Sequence, residues 1–154
     1  MCFKWLKRKL EPEPFTFPVY YMHWDVLSAL LESKGLRCQI EDRDKPDNYH
    51  YYTDLASWTV LFKDLIFSAE NYALYERRDC DDYAKKASAE AAWKHGLGCL
   101  QVFGNTPDGR HAFALVVVSE TDVRIFDPNA IFECAGELLE LDNEYDWAPD
   151  CWKP

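Results

Sequence analysis

Three observations predict an α+β fold in which a cysteine-bearing helix packs on an antiparallel sheet of four or five strands. Asp79–His95 has helical spacing of small and apolar residues and opens with Cys80. The last third of the chain reads as strands at Leu100–Phe103, Ala112–Val118 and Val123–Asp127, with the turn signal TPDG at Thr106–Gly109. Two further helical patterns lie in the first half. A chain of 154 residues, 48% hydrophobic and 16% aromatic, can bury one real core, so an N-terminal arm (1–21) followed by a single domain (22–154) is the expected organisation.

In the arm, Pro12, Pro14 and Pro18 stand among aromatic residues, which favours extended backbone. His23–Lys34 places Trp24, Leu27, Leu30 and Leu31 at helical spacing, with Gly35 as C-terminal cap. Arg37–Glu41 reads as a short strand. The segment DRDKPDNYHYY reads as a loop from its Asp, Pro and Asn content, and its His50 as a packing residue that could line a cleft. A second helix begins near Asp54 with an apolar face of Leu55, Trp58, Leu61 and Leu65. Asn71–Arg78 links it to the Cys80 helix, which Gly96 ends. On that helix Tyr83, Ala84, Ala87 and Ala91 share one side, and small alanines allow close approach to a sheet. Residues beyond Pro128 read as a strand or short helix followed by a C-terminal arm.

A net charge of −10 argues against general nucleic-acid binding, which needs clustered Lys and Arg. No segment is apolar enough to cross a bilayer, and the basic start MCFKWLKRKL lacks the apolar run of a signal peptide, so a cytoplasmic protein is expected. The six cysteines form no CxxC pair and no zinc-ligand spacing, and outside a secretory context they are expected as free thiols.

A thiol at a helix start, an imidazole at a strand start and a carboxylate at a strand end are the groups a cysteine nucleophile needs. Unsatisfied N–H groups at a helix N-terminus favour a thiolate, and a protonated imidazole favours it further. Cys80 is therefore the expected nucleophile, His111 its acid–base partner and Asp127 the group that orients His111, with helix-start N–H groups including that of Cys80 available to an oxyanion. With a loop at Ser119–Thr121, His111 faces Asn129 across an antiparallel pair and Asp127 lies diagonally on the same face. The blander reading keeps Cys80 as a small buried residue and Asp79, Asp81 and Asp82 as first-turn acids that complement the helix dipole and oppose a thiolate.

The string Asp79-Cys80-Asp81-Asp82-Tyr83-Ala84 resembles the GDCEDYA motif of bacterial transglutaminase-like cysteine peptidases, with Arg78 at the glycine's place. The resemblance covers Arg77–Asn129 and implies a papain-like or transglutaminase-like core with the Cys80, His111, Asp127 triad. It also implies calcium held by Asp79 and Asp81, where hard carboxylate oxygens would suit the ion. Phe126-Asp127-Pro128-Asn129 similarly resembles the FDPN segment of papain-fold peptidases. The expected function is that of a cysteine hydrolase, peptidase or amidase, that cleaves an amide of a protein or peptide substrate through a thioester on Cys80 and acts as a monomer. The alternatives are a transglutaminase or deamidase, a peptidoglycan amidase, and a catalytically silent acidic interaction module.

Overall fold

The computed structural model describes residues 15–38, 48–71, 79–143 and 147–153. Element order is β1 (Tyr20–His23), α1 (Trp24–Ser33), β2 (Arg37–Cys38), β3 (Tyr49–Tyr52), α2 (Leu55–Leu61), α3 (Cys80–His95), β4 (Leu100–Thr106), β5 (Gly109–Val117), β6 (Val123–Phe126) and β7 (Ala148–Lys153). Short 3-10 turns at Phe62–Leu65 and Ala69–Asn71 follow α2.

Local chemistry accounts for the helix boundaries. Asp54 caps α2 by accepting from the Ser57 amide at 2.7 Å, which satisfies one of the orphan donors of a first turn. Gly96 ends α3 at φ 65°, a left-handed conformation that glycine adopts without a Cβ penalty. Gly35 (φ 84°) does the same just after α1.

Strands run β2-β7-β4-β5-β6 in the main sheet, and β1 pairs with β3 in a separate two-stranded sheet. The long strand β5 is buried from His111 to Val117, as its unbroken apolar run HAFALVVV requires of a strand covered on both faces. Its odd-numbered residues Phe113, Leu115 and Val117 join Leu27 and Leu31 of α1, while Ala114 and Val116 join Ala87 and Ala91 of α3. The sheet is thus the middle layer between α1 on one side and α2 with α3 on the other. Pairing of Val117 with Val123 through Ala114 with Phe126 gives the register expected from a short loop.

Several expectations are corrected. The main sheet is mixed where an antiparallel one was expected, because β2 runs parallel to β7. The expected C-terminal arm contains β7, an interior strand between β2 and β4 with Trp152 fully buried. Tyr49–Tyr52, expected as loop, is a strand, since the burial alternates and its backbone pairs with β1. Tyr20 and Tyr21, expected in the N-terminal arm, belong to β1. Residues 1–14 of that arm, 39–47 and the linker residues 72–78 lie outside the described residues. Among the described residues no helix is long and apolar enough to cross a membrane.

Candidate functional site

Three elements converge at one end of β5. Cys80 is the first residue of α3, partly buried; His111 lies near the start of β5, 7% exposed; Asp127 follows β6, 1% exposed. His111 Nε2 is 2.5 Å from Asp127 Oδ2, and Cys80 stands near enough to the imidazole to favour its protonated form. With Nε2 engaged by the carboxylate, Nδ1 is the ring nitrogen left for the thiol. The structure therefore brings together all three side chains that the sequence singled out.

Burial opposes a charge on His111. The Asp127 carboxylate, which accepts from the ring, outweighs it together with the nearby Cys80 sulfur, and the imidazole is raised from 6.5 to about 9. An imidazolium beside the Cys80 sulfur is the neighbour that stabilises a thiolate, and the free N–H groups of α3 stand at the same end of the helix as that sulfur.

Two groups of residues around this trio were not anticipated in these roles. Asn129, fully buried, donates its backbone N–H to Asp127 Oδ1 at 2.7 Å and accepts from the Ile131 amide at 3.1 Å. Its own backbone segment is held by Phe67, whose N–H donates to the Pro128 carbonyl at 2.7 Å and whose carbonyl accepts from Ala130 at 3.0 Å. An Asp followed two residues later by a backbone donor is an Asx-turn pattern, so this anchor was legible in Asp-Pro-Asn. The second group is aromatic: Phe132, Phe113 and Trp147 ring centroids lie 4.8, 5.0 and 5.6 Å from that of His111. They cover the imidazole and carboxylate pair; Phe113 follows from its place two residues along β5 from His111, whereas Phe132 and Trp147 come from separate segments that no sequence spacing announced.

The acids beside Cys80 are arranged less simply. Asp79 caps α3 by position but makes no side-chain cap bond. It is held above the usual carboxylate range, first by a hydrogen bond with Asp81, then by burial and the charges of Asp81 and Asp82; Asp81 is held below it by that bond and by Lys85. Oxygens of Asp79, Asp81 and Asp82 lie within 4.8 Å of one another. Lys85 already pairs with Asp81 and, at 3.5 Å, with Asp82, so a calcium ion at Asp79 and Asp81 would compete with its ammonium.

Cys99 and Cys134 are buried free thiols, and burial pushes both up to about 12. They make poor nucleophiles beside Cys80.

No family model matches the chain, and no curated protein matches it in sequence. Solved structures do share its fold. A PSL1a–E64 complex superimposes with a TM-score of 0.55 at 18% identity over 86% of this chain and 50% of that one. Polyporus squamosus lectin bound to the human-type influenza-binding epitope Neu5Aca2-6Galb1-4GlcNAc gives 0.51 at 18% identity over 86% and 49%. The chain thus spans about half the length of the structures it resembles.

This likeness overturns the expected papain-like or transglutaminase-like core, because the shared topology is that of PSL. The expected cysteine hydrolase falls with it, as do the peptidase and transglutaminase descriptions attached to it; one neighbour is a lectin seen with a glycan. The transglutaminase, deamidase and interaction-module alternatives fare no better. The physical reason is that a six-residue motif constrains one helix start, whereas fold identity lies in strand order and in the insertion of β7, which the motif does not reach.

Proposed function

We propose that Cys80, His111 and Asp127 form a reactive-thiol ligand site, in which the Cys80 sulfur bonds covalently to an electrophilic ligand. The observation that carries it is His111, bonded to the buried Asp127 carboxylate and near Cys80. Bond formation, and no amide cleavage, is what the reading asserts. Asp127 fixes the ring, His111 keeps the thiol's proton, and the sulfur attacks the ligand's electrophilic carbon, forming the Sγ–C bond as that carbon's bond to its leaving group breaks and the electron pair departs with that group. Calcium at Asp79 and Asp81 belongs to the same reading, with Lys85 as the group it would displace; a dication there would offset the acids' repulsion of a thiolate.

The test is alkylation of the folded protein by iodoacetamide, resolved by residue with mass spectrometry, with and without calcium, and with E64 as competitor because PSL1a is known in complex with it. In the labelling step the Sγ–C bond forms, the C–I bond breaks and iodide leaves. Cys80 is expected to label at least tenfold faster than Cys99 and Cys134. Equal rates at all three would remove the proposal.

A second reading, glycan binding, is favoured by the lectin's ligand. A cleft beside α3 whose lining includes Trp24, Tyr49 and Tyr51 supports it as well. Aromatic faces with polar tips suit sugar rings, which offer apolar C–H faces and hydroxyl edges. Calorimetric titration with Neu5Aca2-6Galb1-4GlcNAc and with its neutral Galb1-4GlcNAc part tests this reading.

A further inference from the structure

Asp79 stands at the N-cap of α3 without a side-chain bond to the first turn, so the turn that carries Cys80 lacks the tie that a capping side chain gives. Helix ends fray where nothing holds them. The ion pairs of Lys85 with Asp81 and Asp82 are largely exposed and contribute little to holding it. Tyr83 supplies a stronger tie.

The backbone N–H of Tyr83 donates to the Asp79 carbonyl at 3.3 Å and so closes the turn that contains Cys80. Its side chain is 5% exposed, and the hydroxyl leaves the helix to donate to the Ser68 carbonyl at 2.8 Å. The neighbouring Phe67 ring meets the Tyr83 ring edge to face at 6.3 Å between centroids, and the Lys86 ammonium lies 4.0 Å from the centre of the Phe67 ring. Tyr83 and Lys86 are three residues apart on one face of α3, so that face grips residues 67 and 68 at two points.

Phe67 is fastened on its other side to the turn that follows β6. It pairs with Asn129 in a parallel bridge: its N–H donates to the Pro128 carbonyl at 2.7 Å, and its carbonyl accepts from the Ala130 amide at 3.0 Å. The Asn129 amide in turn donates to Asp127 Oδ1 at 2.7 Å. A line of contacts therefore runs from the first turn of α3 through Tyr83, Ser68, Phe67 and Asn129 to the carboxylate that holds His111. The thiol and the carboxylate are both referred to one short backbone segment.

We infer that Tyr83 is a positioning residue, whose hydroxyl bond to Ser68 and packing on Phe67 keep the Cys80 sulfur beside His111. The inference rests on the reactive-thiol reading and deepens it. Without the hydroxyl the ring still packs, but the Ser68 carbonyl loses this donor and the first turn of α3 is free to drift from the Asp127 turn. The sulfur then recedes from the imidazole.

The experiment compares the wild-type chain with Tyr83→Phe, which keeps the ring and loses only the hydroxyl, in calcium-free buffer. It reads the rate of Cys80 alkylation by iodoacetamide relative to Cys99, and the titration of His111 followed by NMR of its Cε1 proton. Relative alkylation is expected to fall about fivefold, the scale of one lost hydrogen bond. His111 is expected to titrate below the wild-type value of about 9, because the nearby sulfur is part of what holds its proton. A tyrosine that only packs would lower the urea midpoint and leave the folded chain's alkylation rate and His111 titration where they are; that outcome overturns the inference. Where Tyr83→Phe fails to fold, Phe67→Leu keeps the backbone bonds and removes the ring contacts, and it must move both readings in the same direction or the inference is overturned. A wild-type Cys80 that labels no faster than Cys99 and Cys134 overturns the reactive-thiol reading itself. A fast Cys80 unmoved by the substitution overturns only the role of Tyr83.

Discussion

Nε2 of His111 lies 2.5 Å from Oδ2 of Asp127, although a strand, a loop and a second strand separate them along the chain. Both are buried, and the carboxylate's other oxygen accepts from the Asn129 amide. A pair held this way sets both the charge and the direction of the ring that meets Cys80.

Replacing Asp127 by Asn keeps the shape and removes the charge. The imidazole then loses one of the two contacts that hold it protonated, and alkylation of Cys80 at neutral pH should fall at least tenfold while labelling of Cys99 stays slow. His111→Ala should do the same. A Cys80 rate unchanged in both variants would show that the imidazole does not activate the thiol.

Stability should peak near pH 6.5, between the titrations of two histidines. The folded His111 keeps its proton up to about 9, so its contribution is complete below 6.5 and is lost as pH rises through about 9. His50 behaves oppositely: its folded value is lowered to about 4, so its contribution is present above 6.5 and is lost as pH falls toward 4. Urea unfolding from pH 4 to 9 measures both limbs. His50→Phe should flatten the acid limb, and Asp127→Asn the alkaline one.

Gly104→Ala should loosen β7 from β4. A Cβ there would sit 2.2 Å from the Ala148 carbonyl oxygen and 2.4 Å from Pro149 Cα, both backbone atoms that cannot turn aside. Overpacking of this kind costs about 1–3 kcal/mol, read as a lower urea midpoint with little change in slope. An unchanged midpoint would mean that the strands part more easily than their packing implies.

Trp152→Ala should cost about 3–5 kcal/mol, since the ring is fully buried on β7 and meets Trp24 at 5.4 Å between centroids. Thermal unfolding followed by circular dichroism checks it. A loss below about 1 kcal/mol would contradict an interior position for β7.

The sequence by itself determined the elements whose causes are local. Apolar spacing, Asp54 and Gly96 placed α2 and α3, the unbroken run in β5 announced a strand covered on both faces, and the short loop before β6 implied the register that brings His111 toward Asp127. Those three site residues were legible because a helix start, a strand start and a strand end are each written in a few neighbouring residues. Only the tertiary structure decided what depends on distant partners. Tyr49–Tyr52 became a strand through pairing with β1, the chain's last described residues became an interior strand, and Phe132 and Trp147 closed around His111. Strand order decided the likeness to PSL over the one suggested by the Cys80 motif. Pairing and burial join segments far apart in the chain, and no window of sequence around one partner contains the other.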